Sequence, residues 1–361
     1  MFTSGTTGRP KGVVHTHFGR WLSALLLRHS ITARVRNEST LLMTPFSHGA
    51  SLLSFALLLE GCPIHLVRGV NRTVVEPLIR GGAVGNIFAP PTALAKLVDM
   101  FSGEQISTVR TIFTGTAALS AKLYAETRKI FGPRVRVTYG MTEIFNPITV
   151  LDPEECDRLY TERGESAAGI VGWPAPGVEL LILDELGRPV DEGEPGQVFV
   201  RAGHMFAGYL RAGAEFEVAP ELHATGDIGR WTSDGGLHLL GRLHDTIKTG
   251  GYKVLPDEVE GALRERGLNG EIVVLGLSSE YWGQVITCAR TGKDDVWFEA
   301  ALKAAASLPR HKQPRIFVTV PEIWKNAIGK VDRSRVRNFI EQRFTLDDGP
   351  YPELRVKELN G

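Results

Sequence analysis

Short apolar runs alternate with helical stretches between residues 40 and 140, and this alternation constrains the fold more than any other feature. The runs, each bounded by Gly, Pro or polar residues, are "TLLMT", "CPIHLVRG", "AVGNIFAP", "TVRTIFTGT" and "RVRVTYG". Between them lie segments with the composition of helices, such as "GASLLSFALLLEG", "PTALAKLVDMFSG" and "SAKLYAETRKIFG". Alternating strands and helices predict an α/β domain with a mainly parallel sheet.

After about residue 165 the pattern changes to β runs separated by turns. "VELLIL" and "GQVFVRAG" flank a Gly/Pro/Asp turn region, and "GDIGRWTSDGGLHLLGR" predicts a hairpin with "SDGG" at its tip. These runs predict a small antiparallel β-barrel or sheet that completes a large domain over residues 1–243. From His244 onward, helices and strands alternate again, which predicts a smaller α+β C-terminal domain over residues 244–361.

Charge, cysteine count and hydropathy limit the classes of function. The 361 residues include 41 basic and 41 acidic side chains, and this balance argues against nucleic acid or an anionic membrane as the main partner. The three cysteines are scattered, so they predict neither a disulfide framework nor a zinc cluster. No apolar run is long enough to span a membrane and no secretory leader is visible, so a cytoplasmic location is expected.

One segment departs from the even distribution of charge. Residues 310–337 contain eight Lys and Arg residues against Glu322 and Asp332. A solvated helix and loop is one interpretation of this segment, and an anion-contacting surface is the other.

The first twelve residues, "MFTSGTTGRPKG", are polar and rich in glycine. Glycine lets a backbone approach an anion closely, and the loop adds the hydroxyl groups of Thr3, Ser4, Thr6 and Thr7 to Gly5, Gly8 and Lys11. A helix expected over residues 13–30 would add the positive end of its dipole. These features predict a phosphate-binding loop, and a flexible terminus is the alternative. The loop is not of the Walker A type, because Lys11 follows Pro10 and precedes Gly12.

Four later motifs follow this loop in a specific order. They are "YGMTE" (139–143), "TGD" (225–227), "GRLHDTIKTGGYKVLPDEVE" (241–260) and "NAIGKVDR" (326–333). Together with "TSGTTGRPKG" they resemble the adenylate-forming superfamily, which includes acyl- and aryl-CoA ligases, adenylation domains of peptide synthetases and beetle luciferases. The resemblance extends from Phe2 to about Arg333 and includes the segment from "GIVGW" to "FAGYL".

The resemblance implies a two-step reaction. A carboxylic acid first reacts with ATP to give acyl-AMP and pyrophosphate, and the acyl group then passes to a thiol. The implied cofactors are ATP and Mg²⁺, with CoA or the phosphopantetheine of a carrier protein as the acyl acceptor. Because the attacking carboxylate is already an anion, the first step needs charge neutralisation and positioning rather than a general base.

The resemblance also assigns roles to individual residues. Glu143 would hold Mg²⁺, Thr142 would bond the α-phosphate, and Lys330 would bridge the carboxylate and the α-phosphate during adenylation. Lys248 would act in the second step. The expected contacts to ATP or AMP are made by Thr3, Ser4, Gly5, Thr6, Thr7, Gly8, Lys11, Gly115, Thr116, Ala117, Tyr139, Gly140, Asp227 and Arg242. A core aromatic, a turn aspartate and a surface lysine are the plain alternatives for Tyr139, Asp227 and Lys330, respectively.

The same resemblance places a hinge, a thiol channel and an acyl pocket. The C-terminal domain would swing about His244, where relatives carry Asp or Lys, and the thiol arm would pass Gly250 and Gly251. The acyl pocket would be lined by Phe46, His48 and Met141. Ser47 stands where amino-acid-activating members carry Asp, which favours a plain acyl or aryl acid over a free amino acid.

The glycine loop begins at residue 2, whereas family members carry a long segment before it. Three explanations stay open: a fragment, a naturally shortened member, and a large domain completed by a second chain or by a homo-oligomer. Two functions also stay open, an active ligase and a catalytically impaired or partner-dependent remnant that binds nucleotide or protein. A P-loop NTPase is poorly supported, because no Gly-Lys-Ser/Thr sequence occurs.

Overall fold

The computed structural model describes residues 1–4, 10–31, 38–46, 49–211, 215–268, 270–292, 295–325 and 331–357. Contacts divide the chain into two compact units. The first comprises Met1–Thr225 and Gly229–Leu239, and the second comprises Gly226–Ile228 and Leu240–Gly361. The domain boundary expected at His244 stays a prediction.

The first unit contains helices and strands in alternation over its first half. Its helices are α1 (His17–Ser30), α2 (Gly49–Leu59), α3 (Arg72–Arg80), α4 (Pro91–Met100), α5 (Ala121–Phe131) and α6 (Pro153–Arg163). Its strands are β1 (Phe2–Ser4), β2 (Pro10–Val14), β3 (Thr40–Leu42), β4 (Ile64–Leu66), β5 (Asn86–Phe88), β6 (Thr111–Thr114), β7 (Val135–Tyr139), β8 (Thr149–Leu151), β9 (Ile170–Pro174), β10 (Val178–Leu183), β11 (Gly196–Ala202), β12 (Gly208–Leu210) and β13 (Phe216–Val218). Two further strands, β14 (His223–Trp231) and β15 (Leu237–Arg242), contribute residues to both units.

An 11-stranded sheet has the order β10-β11-β14-β15-β9-β8-β7-β6-β5-β3-β4. The neighbouring strands β4, β3, β5, β6 and β7 are parallel to one another, as the alternation of strands and helices predicts. Every residue of β5, β6 and β7 is buried, including the polar Asn86, Thr111 and Arg136, as expected for strands of a parallel sheet that is covered on both faces. The antiparallel strands that follow continue the same sheet, so the strand order does not confirm a separate barrel.

Polar caps define where the helices of this layer begin. The side chains of Thr16, Ser120 and Asp152 accept hydrogen bonds from backbone N–H groups in the first turns of α1, α5 and α6. The apolar faces of α3, α4, α5 and α6 pack on the sheet in one core with Ile87, Ile112 and Val135. Because β6 and β7 are paired in parallel, their C-terminal ends and the loops that follow them lie beside each other.

A second, antiparallel sheet has the order β1-β2-β12-β13. The helix expected over residues 13–30 is wrong at its start, because Pro10–Val14 forms β2 and the helix begins at His17. Val13 and Val14 favour extended backbone, and β2 pairs with both β1 and β12. The glycine loop is thus held between two paired strands instead of leading directly into a helix N-terminus.

The second unit contains both helices and strands. Its helices are α7 (Pro256–Glu265), α8 (Asp295–Ala306) and α9 (Arg333–Arg343). Its remaining strands are β16 (Ile247–Thr249), β17 (Tyr252–Val254), β18 (Ile272–Ser279), β19 (Gly283–Arg290), β20 (Ile316–Thr319), β21 (Phe344–Asp347) and β22 (Glu353–Val356). A five-stranded sheet has the order β17-β16-β19-β18 with β20 parallel to β19, and β21 and β22 form a hairpin. Among helices built from described residues, none combines the length and apolar character needed to cross a bilayer.

Candidate nucleotide-binding active site

The glycine loop is anchored at both ends by a hairpin. Thr3 pairs with Lys11, and Phe2 pairs with Gly12, so β1 and β2 hold the residues on either side of the loop. The tip itself lies outside the described residues, as do the predicted phosphate contacts of Gly5, Thr6, Thr7 and Gly8. Thr3 and Ser4 lie in β1, and their assigned contacts stay predictions.

The "YGMTE" segment follows the C-terminal end of β7 and turns back sharply. Tyr139 ends the strand and is buried in the main core, and its expected contact with ATP or AMP stays a prediction. Gly140 permits the turn, since a Cβ there would lie only 1.9 Å from Oδ1 of Asn146. The Met141 N–H donates to the Ile144 carbonyl over 3.0 Å and closes the turn.

His15 supports this turn from the neighbouring segment after β2. Its Nε2 lies 2.7 Å from the carbonyl oxygen of Thr142, and a carbonyl only accepts, so Nε2 carries the hydrogen. The imidazole also stacks on the Phe145 ring with centroids 3.8 Å apart. The sequence reasoning did not select His15, although it lies only four residues after Lys11.

Glu143 is the buried carboxylate of this site, with 7% of the residue exposed. Its backbone carbonyl accepts a hydrogen bond from the Phe206 N–H over 2.8 Å, and its Oε1 accepts one from the Tyr209 hydroxyl over 3.1 Å. Both donors lie on the "FAGYL" segment, which enters β12. The segment that runs into β12 therefore fixes the main chain and the side chain of the predicted metal ligand.

Lys11 lies on the same tyrosine. Its Nζ is 3.5 Å from the centre of the Tyr209 ring, which is within the range of a cation–π contact. Tyr209 is opposite Val13 in the β2–β12 ladder, so the lysine and the tyrosine belong to neighbouring strands. Tyr209 thus joins two predicted site residues that are 132 positions apart in the sequence, and the sequence reasoning missed it.

The loop after β6 contains the next predicted nucleotide contacts. At Gly115 a Cβ would lie 2.6 Å from the Thr138 carbonyl oxygen, so only glycine allows β6 and β7 to lie this close here. Thr116 has a φ of 72°, a strained value for a β-branched residue, and strain of this kind is concentrated at functional sites. Thr116 and Ala117 are exposed, which leaves the loop accessible to a ligand.

The acyl-pocket prediction is only partly covered by the structure. Phe46 is exposed after β3, and Met141 is half-buried against the main core. His48 lies outside the described residues. The role of these three residues stays a prediction.

In the second unit, Asp227 and Arg242 form an ion pair. Nε of Arg242 lies 2.9 Å from Oδ1 of Asp227, whose side chain is 8% exposed. Two of the residues expected to contact ATP or AMP are therefore in contact with each other. Lys248 is exposed on β16, Gly250 and Gly251 have positive φ in the β16–β17 turn, and the His244 side chain is 71% exposed. The predicted catalytic Lys330 lies outside the described residues.

Acid conditions are expected to destabilise the first unit through His15 and His238. Burial lowers the pKa of each imidazole from 6.5 to about 4. The unfolded chain binds these protons near pH 6.5 and the folded chain only near pH 4, so the free energy of unfolding falls as the pH decreases through that interval. Urea unfolding midpoints from pH 7 to pH 5 measure the effect. His15→Gln should make the urea midpoint less dependent on pH. The same substitution at the exposed His17 should leave the pH dependence as in the wild type. Identical pH dependence in the two variants would contradict the assignment to His15.

The comparison with protein families agrees with this arrangement. The family model "AMP-binding enzyme" matches residues 1–210, more than half of the chain. The chain therefore belongs to the AMP-binding, adenylate-forming enzymes.

Individual relatives cover nearly the whole chain. It is 31% identical over 364 residues to 2-succinylbenzoate–CoA ligase of Geobacillus kaustophilus (strain HTA426), with 95% of this chain and 70% of the ligase matched. It is 29% identical over 350 residues to a probable nonribosomal peptide synthetase, CymA, of Salinispora arenicola (strain CNS-205), with 92% of this chain and 4% of CymA matched. The chain thus spans about two thirds of the ligase and a small part of the synthetase.

Solved structures give the same result. The amide bond synthetase McbA from Marinactinospora thermotolerans has a TM-score of 0.81 at 26% identity, covering 94% of this chain and 67% of that one. The o-succinylbenzoate CoA synthetase MenE from Bacillus subtilis, in complex with ATP and magnesium, has a TM-score of 0.76 at 26% identity. The match covers 93% of this chain and 69% of MenE.

Proposed function

We propose that this protein is an AMP-forming acid ligase that activates a carboxylic acid with ATP and transfers the acyl group to a thiol. In the first step, a carboxylate oxygen forms a bond to the α-phosphorus, the bond from that phosphorus to the bridging oxygen breaks, and pyrophosphate leaves. In the second step, the thiol sulfur forms a bond to the acyl carbon and AMP leaves. The proton of the thiol is lost to solvent.

The arrangement of Lys11, Tyr209 and Glu143 is the observation that carries this proposal. An ammonium group and a buried carboxylate contact one aromatic side chain, so a positive group for phosphates and a hard oxygen ligand for Mg²⁺ lie together. Within the described residues, no group of three or more His, Cys, Asp or Glu side chains forms a metal cluster. This fits Mg²⁺, which is commonly bound by one or two carboxylates together with substrate phosphates and water. When bound, Mg²⁺ would neutralise charge on the phosphates.

The rest of the site supports the same chemistry. His15 binds the carbonyl oxygen of Thr142 and the Phe206 N–H binds the carbonyl oxygen of Glu143, so the expected α-phosphate contact and the expected metal ligand lie on one fixed turn. Such fixed polar groups stabilise developing charge without reorganisation during the reaction. Lys330 would supply the remaining positive charge, as the "GKVDR" motif implies.

A plain acyl or aryl acid is the proposed substrate, and CoA or a carrier-protein phosphopantetheine is the proposed acceptor. Ser47, which stands where an amino-acid-activating relative would carry Asp, supports a plain carboxylic acid over a free amino acid. The relatives named above include a CoA ligase, a probable peptide synthetase and an amide bond synthetase, so an amine is the acceptor to be tested against the thiols.

Carboxylate-dependent exchange of radiolabelled pyrophosphate into ATP tests the proposal. The panel should contain medium- and long-chain fatty acids, benzoates including 2-succinylbenzoate, and free amino acids as the group expected to be inactive. Isothermal titration with ATP should accompany each assay. ATP binding without exchange for any acid would favour the catalytically impaired, nucleotide-binding alternative.

Lys248→Ala is expected to separate the two half-reactions. Lys248 lies on β16, beside the glycine turn predicted to admit the thiol, and its removal should slow thioester formation about 10-fold or more. Pyrophosphate exchange should stay within about twofold of wild type, because the adenylation residues are unchanged. Lys253→Ala, directly opposite Lys248 in the β16–β17 hairpin, is the matched control. A parallel loss of both half-reactions would contradict the assignment to the second step.

A further inference from the structure

Tyr209 occupies a position that the family resemblance does not assign to any role. We propose that Tyr209 is a positioning residue of the nucleotide–metal site: its hydroxyl orients the Glu143 carboxylate and its ring holds the Lys11 ammonium. This inference rests on the proposed function, since it concerns the groups that would receive ATP and Mg²⁺. It adds a residue on a separate strand to the site formed by the glycine loop and the "YGMTE" turn.

The geometry gives Tyr209 two contacts of different kinds. The hydroxyl lies 3.1 Å from Oε1 of Glu143, and the face of the ring lies 3.5 Å from Nζ of Lys11. A hydrogen bond to a carboxylate is charge-assisted and directional, and it leaves the second carboxylate oxygen available for a metal. The ring attracts the ammonium group without neutralising it, so Lys11 keeps its full charge for phosphates.

The position of Tyr209 is determined by its surroundings. Backbone pairing with Val13 on β2 and with Glu217 on β13 fixes the strand on both sides. The Phe206 ring packs against the tyrosine ring with centroids 4.7 Å apart. Gly208 allows the strands to approach, because a Cβ there would lie 2.2 Å from the Glu217 carbonyl oxygen.

The Tyr209 hydroxyl is the donor in its contact with Glu143, because a carboxylate oxygen only accepts hydrogen bonds. Glu143 is thereby held in one rotamer before a metal binds, which lowers the entropy lost on binding.

Tyr209→Phe tests the hydroxyl alone, because the ring and its contact with Lys11 are retained. Calorimetric titration of the full chain with ATP, in 5 mM and in about 0.05 mM Mg²⁺ and in EDTA, measures the metal-dependent part of binding without requiring turnover. We expect ATP affinity in Mg²⁺ to fall about 10-fold and affinity in EDTA to stay unchanged, as for the loss of one charge-assisted hydrogen bond. The Mg²⁺ concentration needed for half-maximal exchange should rise by a similar factor.

Tyr209→Leu also removes the ring and should weaken ATP binding in EDTA as well, because Lys11 is no longer held.

Tyr160→Phe is the matched control: the Tyr160 hydroxyl donates to the Leu119 carbonyl over 2.6 Å in the same unit, in a buried place outside the site. This control should lower the thermal midpoint while leaving the Mg²⁺ dependence at the wild-type value.

Two results would overturn the inference. One is wild-type Mg²⁺ dependence in Tyr209→Phe, and the other is an equal loss of ATP affinity with and without metal, which is the pattern of a purely structural residue. Failure of the proposed function can be distinguished from failure of this inference. Wild-type protein that binds Mg²⁺–ATP but exchanges no pyrophosphate excludes acid activation and leaves the Tyr209 result readable. Wild-type protein that binds no ATP overturns both.

Discussion

Replacing Lys330 by alanine is expected to lower pyrophosphate exchange by about 100- to 1,000-fold, the loss found when one preorganised group that stabilises transition-state charge is removed. The attacking carboxylate and the α-phosphate are both negative, and their approach requires a cation between them. The "GKVDR" motif assigns that cation to Lys330 by resemblance. ATP affinity should change by much less, because the bridging contact forms only while the carboxylate attacks.

Lys325→Ala is the control for this result. Lys325 has the same charge, lies five residues before Lys330 and forms an ion pair with Glu271, so it belongs to the same basic segment without the proposed role. Exchange in Lys325→Ala should stay near the wild-type rate. Retained exchange in Lys330→Ala, or an equal loss in both variants, would show that the segment contributes only its general charge.

The parallel part of the fold was predictable because its signals are local. Strands β5, β6 and β7 are short segments rich in β-branched and aromatic residues, and α4 and α5 are amphipathic segments between them. Helix α6 was missed, and α9 was anticipated only as part of a solvated helix and loop, because both are highly charged and carry few apolar positions to reveal a helical period. Their stability depends on caps and on tertiary packing, which a local pattern does not show.

The second sheet was not predictable for a different reason. Residues 13 and 14 continue into an apolar helical pattern, and only the distant partner strand β12 makes them a strand. The same long-range pairing brings Tyr209 to Lys11 and Glu143. Motifs named the two charged residues, but nothing local distinguishes Tyr209 from other aromatic residues in β runs.

Replacing Arg333 by methionine is expected to destabilise the second unit by about 3 kcal/mol, the cost typical of breaking a buried ion pair by removing one partner. The Arg333 side chain is 12% exposed and the Glu260 side chain is 9% exposed, with Nη2 and Oε1 2.8 Å apart. Arg333 also contacts Asp245 and Asp257 and donates to the Val274 carbonyl. It thereby ties the start of α9, three residues after Lys330, to the residue that follows the proposed hinge at His244.

Hydrogen exchange at the Val274 amide is the most specific measurement of this loss. That amide lies in β18 and donates to Oε1 of Glu260 over 2.8 Å, so its protection reports the opening of the Arg333–Glu260 contact directly. Arg335→Met, two residues further along the same helix and exposed, is the matched control and should leave Val274 protected. Equal loss of protection in the two variants would contradict the importance of the buried pair.

The pH dependence and a second substitution identify the cause of the loss. Burial raises the pKa of Glu260 and Arg333 opposes that rise, so without Arg333 the carboxyl takes up a proton more readily. A folded-state pKa above the unfolded value means that stability falls as the pH rises, and the penalty of Arg333→Met should therefore be larger at pH 8 than at pH 5. Adding Glu260→Gln to Arg333→Met removes the uncompensated charge, so the double variant should recover part of the lost stability. A double variant that is less stable than Arg333→Met would show instead that the packing of the arginine stem, and not its charge, stabilises this unit.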